Sequence, residues 1–230
     1  MNSFSQWLSQ LQFDGVWQTV VLVAASLLCI TFHETCHGLV AYWLGDPTAK
    51  NQGRLTLNPI KHVDLAGLIM MAICRFGWAK PVPVDMRNFK NPKSGMAITA
   101  LAGPVSNVLL AYLAVLFYSF FYYFYEKSGS QVWYVVLGFF SYLEIISAGL
   151  AVFNVFPIPP LDGSKVLFSF LPDESYHKLV RYERYGMILL IILLFTNVLN
   201  TPLIFLRDGL LSGLEAIGIW PYTALVRLLG

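Results

Sequence analysis

Four long runs of apolar residues dominate the chain, and each is long enough to cross a membrane as an α-helix. About 20 apolar residues cover a hydrocarbon core of ~30 Å, because an α-helix rises ~1.5 Å per residue. The pattern predicts membrane-spanning helices over residues 16–44, 95–125, 131–156 and 186–206. The second contains Ala102-Gly103-Pro104, where proline predicts a kink and glycine lets a neighbouring helix approach.

The loop between the first two spans, residues 45–94, is the most polar part of the chain. Residues 53–58 alternate polar and apolar side chains, which predicts a strand and a small β-hairpin. The ten apolar residues 65–74 are too few to span a membrane and predict a re-entrant or interfacial segment. The tail, residues 207–230, is apolar but interrupted by glycine and proline, so it is also predicted to be a re-entrant or interfacial segment.

This pattern predicts an all-α polytopic membrane protein with a single membrane-embedded domain over residues 1–230. Composition agrees, since 57% of the residues are hydrophobic and only 12% are charged. The first fourteen residues contain no Lys or Arg, so we expect no cleavable signal peptide. Three cysteines, an odd number, argue against a disulfide framework. No basic patch with interleaved aromatic residues indicates a nucleic-acid partner.

Basic residues are distributed unevenly between the predicted loops. Twelve Lys and Arg fall in the loop 45–94 and the loop before the fourth span, whereas three fall in the remaining loops and the tail. Because cytoplasmic loops carry the excess of positive charge, this distribution places the N-terminus outside and the loop 45–94 in the cytoplasm. His62 and Asp64, within that loop, are expected to form a solvated pair.

The first predicted span carries the motif His33-Glu34-Thr35-Cys36-His37 near its cytoplasmic end. Residues four apart lie on one face of a helix, so the two histidines can chelate one ion. Glu34 is close enough to hold a water beside that ion without ligating it. This is the zinc-hydrolase pattern of two imidazole ligands and a carboxylate base. The alternative is a pair of structural histidines, but ionisable side chains within an apolar span are costly and usually functional.

A catalytic zinc needs a third protein ligand at the same depth in the membrane. Two acidic residues are candidates. Glu144 lies near the middle of the third span, whereas Asp162 follows its cytoplasmic end, level with the histidines. The run Pro157-Ile158-Pro159-Pro160 restricts the backbone before Asp162, so depth and rigidity both favour Asp162 over Glu144.

A second motif surrounds that aspartate, reading Asn154-x-x-Pro157-x-Pro159-x-Leu161-Asp162-Gly163. Together with the histidine motif, it resembles the site-2 protease family of intramembrane zinc metalloproteases. Other stretches resemble the compact prokaryotic members of that family: Gly45-Asp46-Pro47, Gly53-Arg54-Leu55-Thr56-Leu57-Asn58-Pro59 and Ala102-Gly103-Pro104-x-x-Asn107. The loops leave no room for the PDZ or CBS domains of some relatives.

The resemblance implies a catalytic core of three helices, formed by the first three spans, with additional helices around it. It implies one Zn²⁺ per chain held by His33, His37 and Asp162, with Glu34 as the catalytic acid and base. It also implies that Asn154 helps to hold the substrate backbone. The compact design indicates a bacterial or archaeal plasma membrane, with the active site toward the cytoplasmic side.

We therefore expect an intramembrane protease that hydrolyses peptide bonds in or near transmembrane segments of membrane proteins. An unwound substrate could pair with the predicted strand by β-addition, contacting Gly53, Arg54, Leu55, Thr56 and Leu57. An ordinary cytoplasmic hairpin is the alternative. Asn107 either lines the active-site cavity or bonds a backbone carbonyl freed by proline.

Two other functions use the same metal ligands, namely a zinc-transporting membrane protein and a non-catalytic member of the family. Glu34 favours the protease, because hydrolysis needs a proton-transfer group and ion transit does not. The expected partners are the lipid bilayer and transmembrane substrates, and the sequence leaves open whether the chain forms a homo-oligomer.

Overall fold

The computed structural model describes residues 16–64, 67 and 79–229. These residues form two compact units. The bundle unit consists of residues up to 29, residues 107–153 and residues from 191 onward. The motif unit consists of residues 30–106 and 154–190.

The described residues are mostly helical, as the apolar pattern predicts. Two single-turn 3-10 helices, Pro59–Lys61 and Met86–Asn88, lie in the polar loop. The α-helices, numbered in chain order, are α1 Val16–Trp43, α2 Thr48–Asn51, α3 Pro92–Ser128, α4 Gln131–Val155, α5 Asp162–Ser169, α6 Asp173–Phe195, α7 Asn200–Gly218 and α8 Trp220–Leu229.

Within the described part of the chain, three helices are long and apolar enough to cross a membrane: Gln18–Trp43, Pro92–Ser128 and Gln131–Val155. Their bounds lie close to the first three predicted spans. Helix α3 continues without a break through Pro104. The chain is thus an all-α membrane protein.

The predicted fourth span, residues 186–206, is not one continuous helix. Its first part belongs to α6, which already begins at Asp173, and the chain then bends by 86° before α7. Asn197, at the break, has a φ of 59°, a conformation that asparagine tolerates better than most residues. Its side-chain oxygen accepts a hydrogen bond from the Asn200 amide at 2.6 Å. The two asparagines therefore form a turn where an uninterrupted span was expected.

Small residues let the helices of the bundle unit pack closely. Its core contains Ala111, Val115, Ala148 and Leu214, which belong to α3, α4 and α7. Gly218 packs against Val115, where a Cβ atom would lie 2.5 Å from a Val115 methyl group. Glu144, on α4 of this unit, is buried.

The motif unit contains the C-terminal half of α1 and the described part of the polar loop. Asp46, which is fully buried, joins the end of α1 to residues further along this loop. Its carboxylate accepts hydrogen bonds from the backbone N–H of Thr48 and Asp85 and from the Asn88 amide. Although burial opposes ionisation, these bonds hold the pKa of Asp46 below its usual value.

The strand predicted at residues 53–58 is not present; this segment consists of a turn and bends. The described residues contain only an isolated antiparallel bridge, between Val63 and Ala79. The carbonyl of Thr56 is bonded by two side chains instead of a partner strand, Thr35 Oγ1 and His62 Nε2, both at 2.9 Å. The predicted hairpin is therefore wrong, because tertiary contacts of side chains replace strand pairing here.

Two further predictions concern this loop. His62 was expected to be solvated beside Asp64, but it is 1% exposed and packs against the Thr56 backbone, so that expectation is wrong. The re-entrant segment predicted at residues 65–74 lies, except for Gly67, outside the described residues.

Candidate metal centre

Helix α1 places His33 and His37 one turn apart on the same face, as their four-residue spacing requires. Their imidazole rings meet edge to face, with ring centroids 4.5 Å apart. Asp162, the first residue of α5, brings its carboxylate to the same point. All three residues are buried, with 7–8% of their surface exposed. The structure thus brings together the three ligands named from the sequence.

The three donor atoms have the mutual spacing of zinc ligands. Nε2 of His33 and Nε2 of His37 are 2.9 Å apart, and Oδ2 of Asp162 lies 3.2 Å and 3.1 Å from them. Bond lengths of about 2.0–2.1 Å in a tetrahedral zinc site place neighbouring ligand atoms about 3.3 Å apart. Three protein ligand atoms are the donor set of a catalytic zinc site, in which water takes the fourth position. The residues therefore fit the metal.

The backbone of α3 fixes which nitrogen of His37 is free to bind a metal. Nδ1 of His37 lies 2.7 Å from the carbonyl oxygen of Thr99, which can only accept a hydrogen bond. Nδ1 must therefore carry the proton, and Nε2 of the neutral ring presents its lone pair toward His33 and Asp162. Such a bond from the non-ligating nitrogen is the usual support of a metal-binding histidine.

Gly103 of α3 forms the wall beside the two imidazoles. A Cβ atom on Gly103 would lie 2.5 Å from Cε1 and 2.6 Å from Nε2 of His33, and would also overlap Nε2 of His37. No side chain larger than hydrogen fits between α3 and the rings at this position. Glycine therefore lets the backbone of α3 approach the donor atoms closely.

The loop before α5 is held by two close backbone contacts, and both involve glycine. A Cβ atom on Gly163 would overlap the carbonyl group of Val155, in the last turn of α4. A Cβ atom on Gly186 of α6 would lie 2.5 Å from the carbonyl oxygen of Pro159. These contacts fix the loop at both sides of Asp162.

The charge of Asp162 is supported by its neighbours. Burial opposes ionisation, but the contacts with His33 and His37 outweigh it and hold the pKa of this carboxyl well below its usual value. Lys165, one turn along α5, places its ammonium 3.6 Å from Oδ1. The carboxylate is therefore ionised at neutral pH, as a metal ligand must be.

Glu34 lies beside the donor group but is not part of it. Its Oε2 accepts a hydrogen bond of 2.8 Å from the backbone N–H of Val82, in the extended segment that follows the bridge at Ala79. Glu34 therefore follows His33 directly in α1, lies outside the group of possible ligands, and has its carboxylate held by a backbone amide.

The other residues predicted to line the site are placed differently. Asn107 is fully buried and belongs to the bundle unit, as does Glu144, the rejected ligand candidate. Asn154 is half-buried in the last turn of α4, in the motif unit. In the predicted substrate strand, Leu57 is 59% exposed and Arg54 only 7%. Residues 53–57 therefore do not form a strand that a substrate could extend.

Sequence reasoning missed the contributions of Thr99, Gly103 and Val82. Thr99 and Val82 act through backbone atoms, which any residue type carries, so the sequence contains no signal for them. Gly103 had a signal in the run Ala102-Gly103-Pro104, but that run predicted only close helix packing, without the partner.

Comparison with known proteins shows which family this chain resembles. Residues 124–197, which include Asp162, match the model of peptidase family M50. The chain is 38% identical to YwhC of Bacillus subtilis over 76% of this chain and 80% of YwhC. It is 29% identical to Rip2 of Mycolicibacterium smegmatis and 28% identical to Rip2 of Mycobacterium tuberculosis, in both cases over 83% of this chain and 71% of Rip2. Each of these relatives is named "Putative zinc metalloprotease". No solved structure matches the chain significantly.

Proposed function

Because the chain belongs to peptidase family M50, the site-2 protease family, and is a zinc metalloprotease, we propose that it cleaves membrane proteins in or near their transmembrane segments. One observation supports the proposal most directly. His33, Glu34 and His37 lie on a helix apolar enough to cross a membrane, and Asp162 of α5 meets the two histidines there. A site built into such a helix meets its substrate within or at the edge of the bilayer.

We assign His33, His37 and Asp162 as the zinc ligands and Glu34 as the acid and base. When bound, zinc supplies positive charge that polarises the scissile carbonyl and makes a water easier to deprotonate near neutral pH. Glu34 accepts a proton from the attacking water as its oxygen bonds to the carbonyl carbon. Glu34 then delivers this proton to the amide nitrogen as the C–N bond breaks, which leaves a carboxylic acid and a free amine. The remaining proton of the water passes from the acid to the amine or to solvent.

The surrounding residues hold the assigned zinc ligands in fixed positions. The Thr99 carbonyl keeps the His37 ring in one tautomer, and the glycine contacts at residues 163 and 186 hold the loop that carries Asp162. A preorganised site spends no free energy on rearrangement during the reaction.

A transmembrane substrate must unwind locally before it reacts, because the peptide groups of a helix are hydrogen-bonded to one another. Asn154, half-buried in the motif unit, is our candidate for binding the unwound backbone, and Asn107 is a second candidate from the sequence motif. The excess of basic residues in the loop 45–94 supports an orientation with the N-terminus outside and the active site toward the cytoplasm of a bacterial or archaeal plasma membrane.

The test compares wild type, Glu34→Gln and Asp162→Ala, each purified in detergent and reconstituted into liposomes. The substrate is a fluorogenic peptide with a single 20-residue apolar span and a helix-breaking Gly-Pro pair near its cytoplasmic end. We expect about one zinc per wild-type chain, zinc without cleavage in Glu34→Gln, and a large loss of both in Asp162→Ala.

Other outcomes separate the rival functions. Cleavage by Glu34→Gln at the wild-type rate would refute the assigned mechanism. Zinc uptake into wild-type liposomes, unchanged by Glu34→Gln and without any cleavage, would indicate a zinc carrier. Zinc binding without cleavage or transport would indicate a non-catalytic member of the family.

A further inference from the structure

The orientation of Glu34 depends on a backbone amide from a separate part of the motif unit. Val82 donates its N–H to Oε2 of Glu34 at 2.8 Å. A catalytic carboxylate must be held within hydrogen-bond reach of the water that it deprotonates. What holds Val82 in place therefore determines where the Glu34 carboxylate lies.

The segment that carries Val82 is held on both sides by buried charged side chains. On one side, Nη2 of Arg54 donates to the carbonyl of Lys80 at 2.8 Å and to that of Pro81 at 3.3 Å. On the other side, the carboxylate of Asp46 accepts from the N–H of Asp85 at 2.7 Å. Prolines at positions 81 and 83 restrict the backbone between these two attachments.

Burying the charged side chain of Arg54 at this position has a high free-energy cost. Its guanidinium is buried, with 7% of the residue exposed, and it forms no ion pair within the described part of the chain. In that same part of the chain its Nε is buried without a hydrogen-bond partner. Burying a charge that no carboxylate balances is costly, and an apolar side chain would fill the volume at a lower cost. Packing alone therefore does not explain why an arginine occupies this position.

We propose that Arg54 is a positioning residue for Glu34, acting through the carbonyls of Lys80 and Pro81 and the N–H of Val82. The proposal rests on the assigned role of Glu34 in hydrolysis. Arg54 fixes the two residues that precede Val82, so the Val82 amide meets the Glu34 carboxylate at one distance and in one direction. This role replaces the substrate contact that the sequence pattern suggested for Arg54.

The proposal predicts a selective loss of catalytic rate. In Arg54→Met, which keeps much of the side-chain volume, segment 80–82 loses its anchor and Glu34 loses its fixed partner. We expect kcat to fall about 10- to 100-fold, the effect of a small misplacement of a catalytic group. KM stays within about 2-fold and zinc remains at about one per chain, because neither the ligands nor the substrate surface is changed. Arg54→Lys has an intermediate kcat, since an ammonium can still donate to one carbonyl.

The decisive experiment is a double-mutant cycle with Val82→Pro, which removes the N–H that bonds Glu34. If Arg54 acts through that N–H, Arg54→Met lowers kcat in the wild-type background and has little further effect, within about 2-fold, in the Val82→Pro background. The assay uses the fluorogenic single-span peptide in liposomes, with zinc content measured for every variant. Arg87→Met is the matched control, because Arg87 is exposed and, among the described residues, its side chain bonds only the nearby Asp85 side chain.

Three results would overturn the proposal. Losses of kcat that multiply in the double variant would show that Arg54 and the Val82 amide act independently. A rise in KM at unchanged kcat would make Arg54 a substrate-binding residue. Loss of zinc in Arg54→Met would mean that it supports the fold of the whole site. Failure of the underlying function is distinguished separately, since wild type would then not cleave the peptide at all, or Glu34→Gln would cleave it as fast as wild type.

Discussion

Gly103 faces His33 at a distance that no other residue type could keep. A Cβ atom at Gly103 would lie 2.6 Å from Nε2 of His33, the nitrogen that we assign to the metal, well inside van der Waals contact. The contact joins α3 to the face of α1 that carries the two histidines, so the two helices cannot approach in this way with any side chain at position 103.

Gly103→Ala should therefore lose zinc and activity together. The added methyl group must displace either the imidazoles or the backbone of α3, and both shifts separate the donor atoms. We expect a zinc content well below one per chain by elemental analysis, with no cleavage of the fluorogenic peptide. Gly149→Ala, in α4, is the control, because a Cβ atom there meets nothing within 4 Å. Full zinc binding by Gly103→Ala would contradict the assigned geometry.

Gly186→Ala should weaken zinc binding without touching a ligand. The new methyl group would press on Pro159 and shift the loop that carries Asp162. Changes in the groups that support metal ligands typically cost about 10- to 100-fold in metal affinity. Competition with a chromogenic chelator measures this affinity, and Gly213→Ala, whose Cβ atom would also have open space, is the control. An unchanged affinity would mean that the loop adapts to the methyl group.

Asp46 should make the fold sensitive to acid. Its pKa in the folded chain lies below the ordinary value of 3.8, so the ionised form is favoured by folding. The stabilisation is complete above about pH 4 and is lost as the pH falls through the lower pKa of the folded state. Asp46→Asn should lower the free energy of unfolding by about 1–3 kcal/mol at neutral pH, the cost of weakening a buried hydrogen-bonded acceptor.

The measurement is the unfolding midpoint in detergent, for wild type and Asp46→Asn, between pH 7 and pH 3. We expect the difference between the two proteins to shrink as the pH falls. Asp208→Asn, at an exposed aspartate, is the control and should show almost no difference at any pH. A difference that grows in acid would have the wrong sign for this carboxylate.

The proposed orientation predicts which loops are accessible from each side of the membrane. Lys90 and Ser128 are both exposed; Lys90 lies just before the long helix α3, and Ser128 is the last residue of that helix. In a background without native cysteines, a cysteine at position 90 should react with a membrane-impermeant maleimide only when the cytoplasmic side is open. A cysteine at position 128 should react in intact spheroplasts. The reverse pattern would invert the orientation.

Periodicity and chain depth were sufficient to select the three residues that we assign as metal ligands. The four-residue spacing of His33 and His37 places both side chains on one face of an α-helix, whatever the rest of the helix contains. Asp162 follows from its position just after a span and from the rigid prolines before it. The structure brings these three side chains together, and their distances support the assignment.

The segment at residues 53–58 shows why the polar loop was harder to predict. Its alternation of polar and apolar residues is typical of a strand, but a strand also needs a partner with free backbone groups. Here Leu55 packs against Gly38, and side chains from elsewhere in the motif unit bond the Thr56 carbonyl. The contacts from Gly38 and Thr35 join residues distant in the sequence, and the His62 contact depends on how the chain folds back, so a local pattern of alternation contains no information about them.

Two asparagines in the sequence indicate the break between α6 and α7, but the average hydropathy of the run does not reveal them. Asn197 and Asn200 lie within an apolar run that is otherwise long enough to span. Averaging over the run hides two polar residues, whereas their side-chain hydrogen bond stabilises a turn. The distinction depends on the turn geometry, which composition does not describe.

The three residues that we assign as zinc ligands come from α1 and α5, which are far apart in the sequence. A bound ion therefore acts as a cross-link that closes a long loop of the chain, much as a disulfide would. The unfolded chain cannot keep this cross-link, so metal supply and chain stability are thermodynamically linked. A cell short of zinc would thus hold fewer intact copies of the protein as well as less activity, and its quality-control proteases would remove the copies that never acquired the metal.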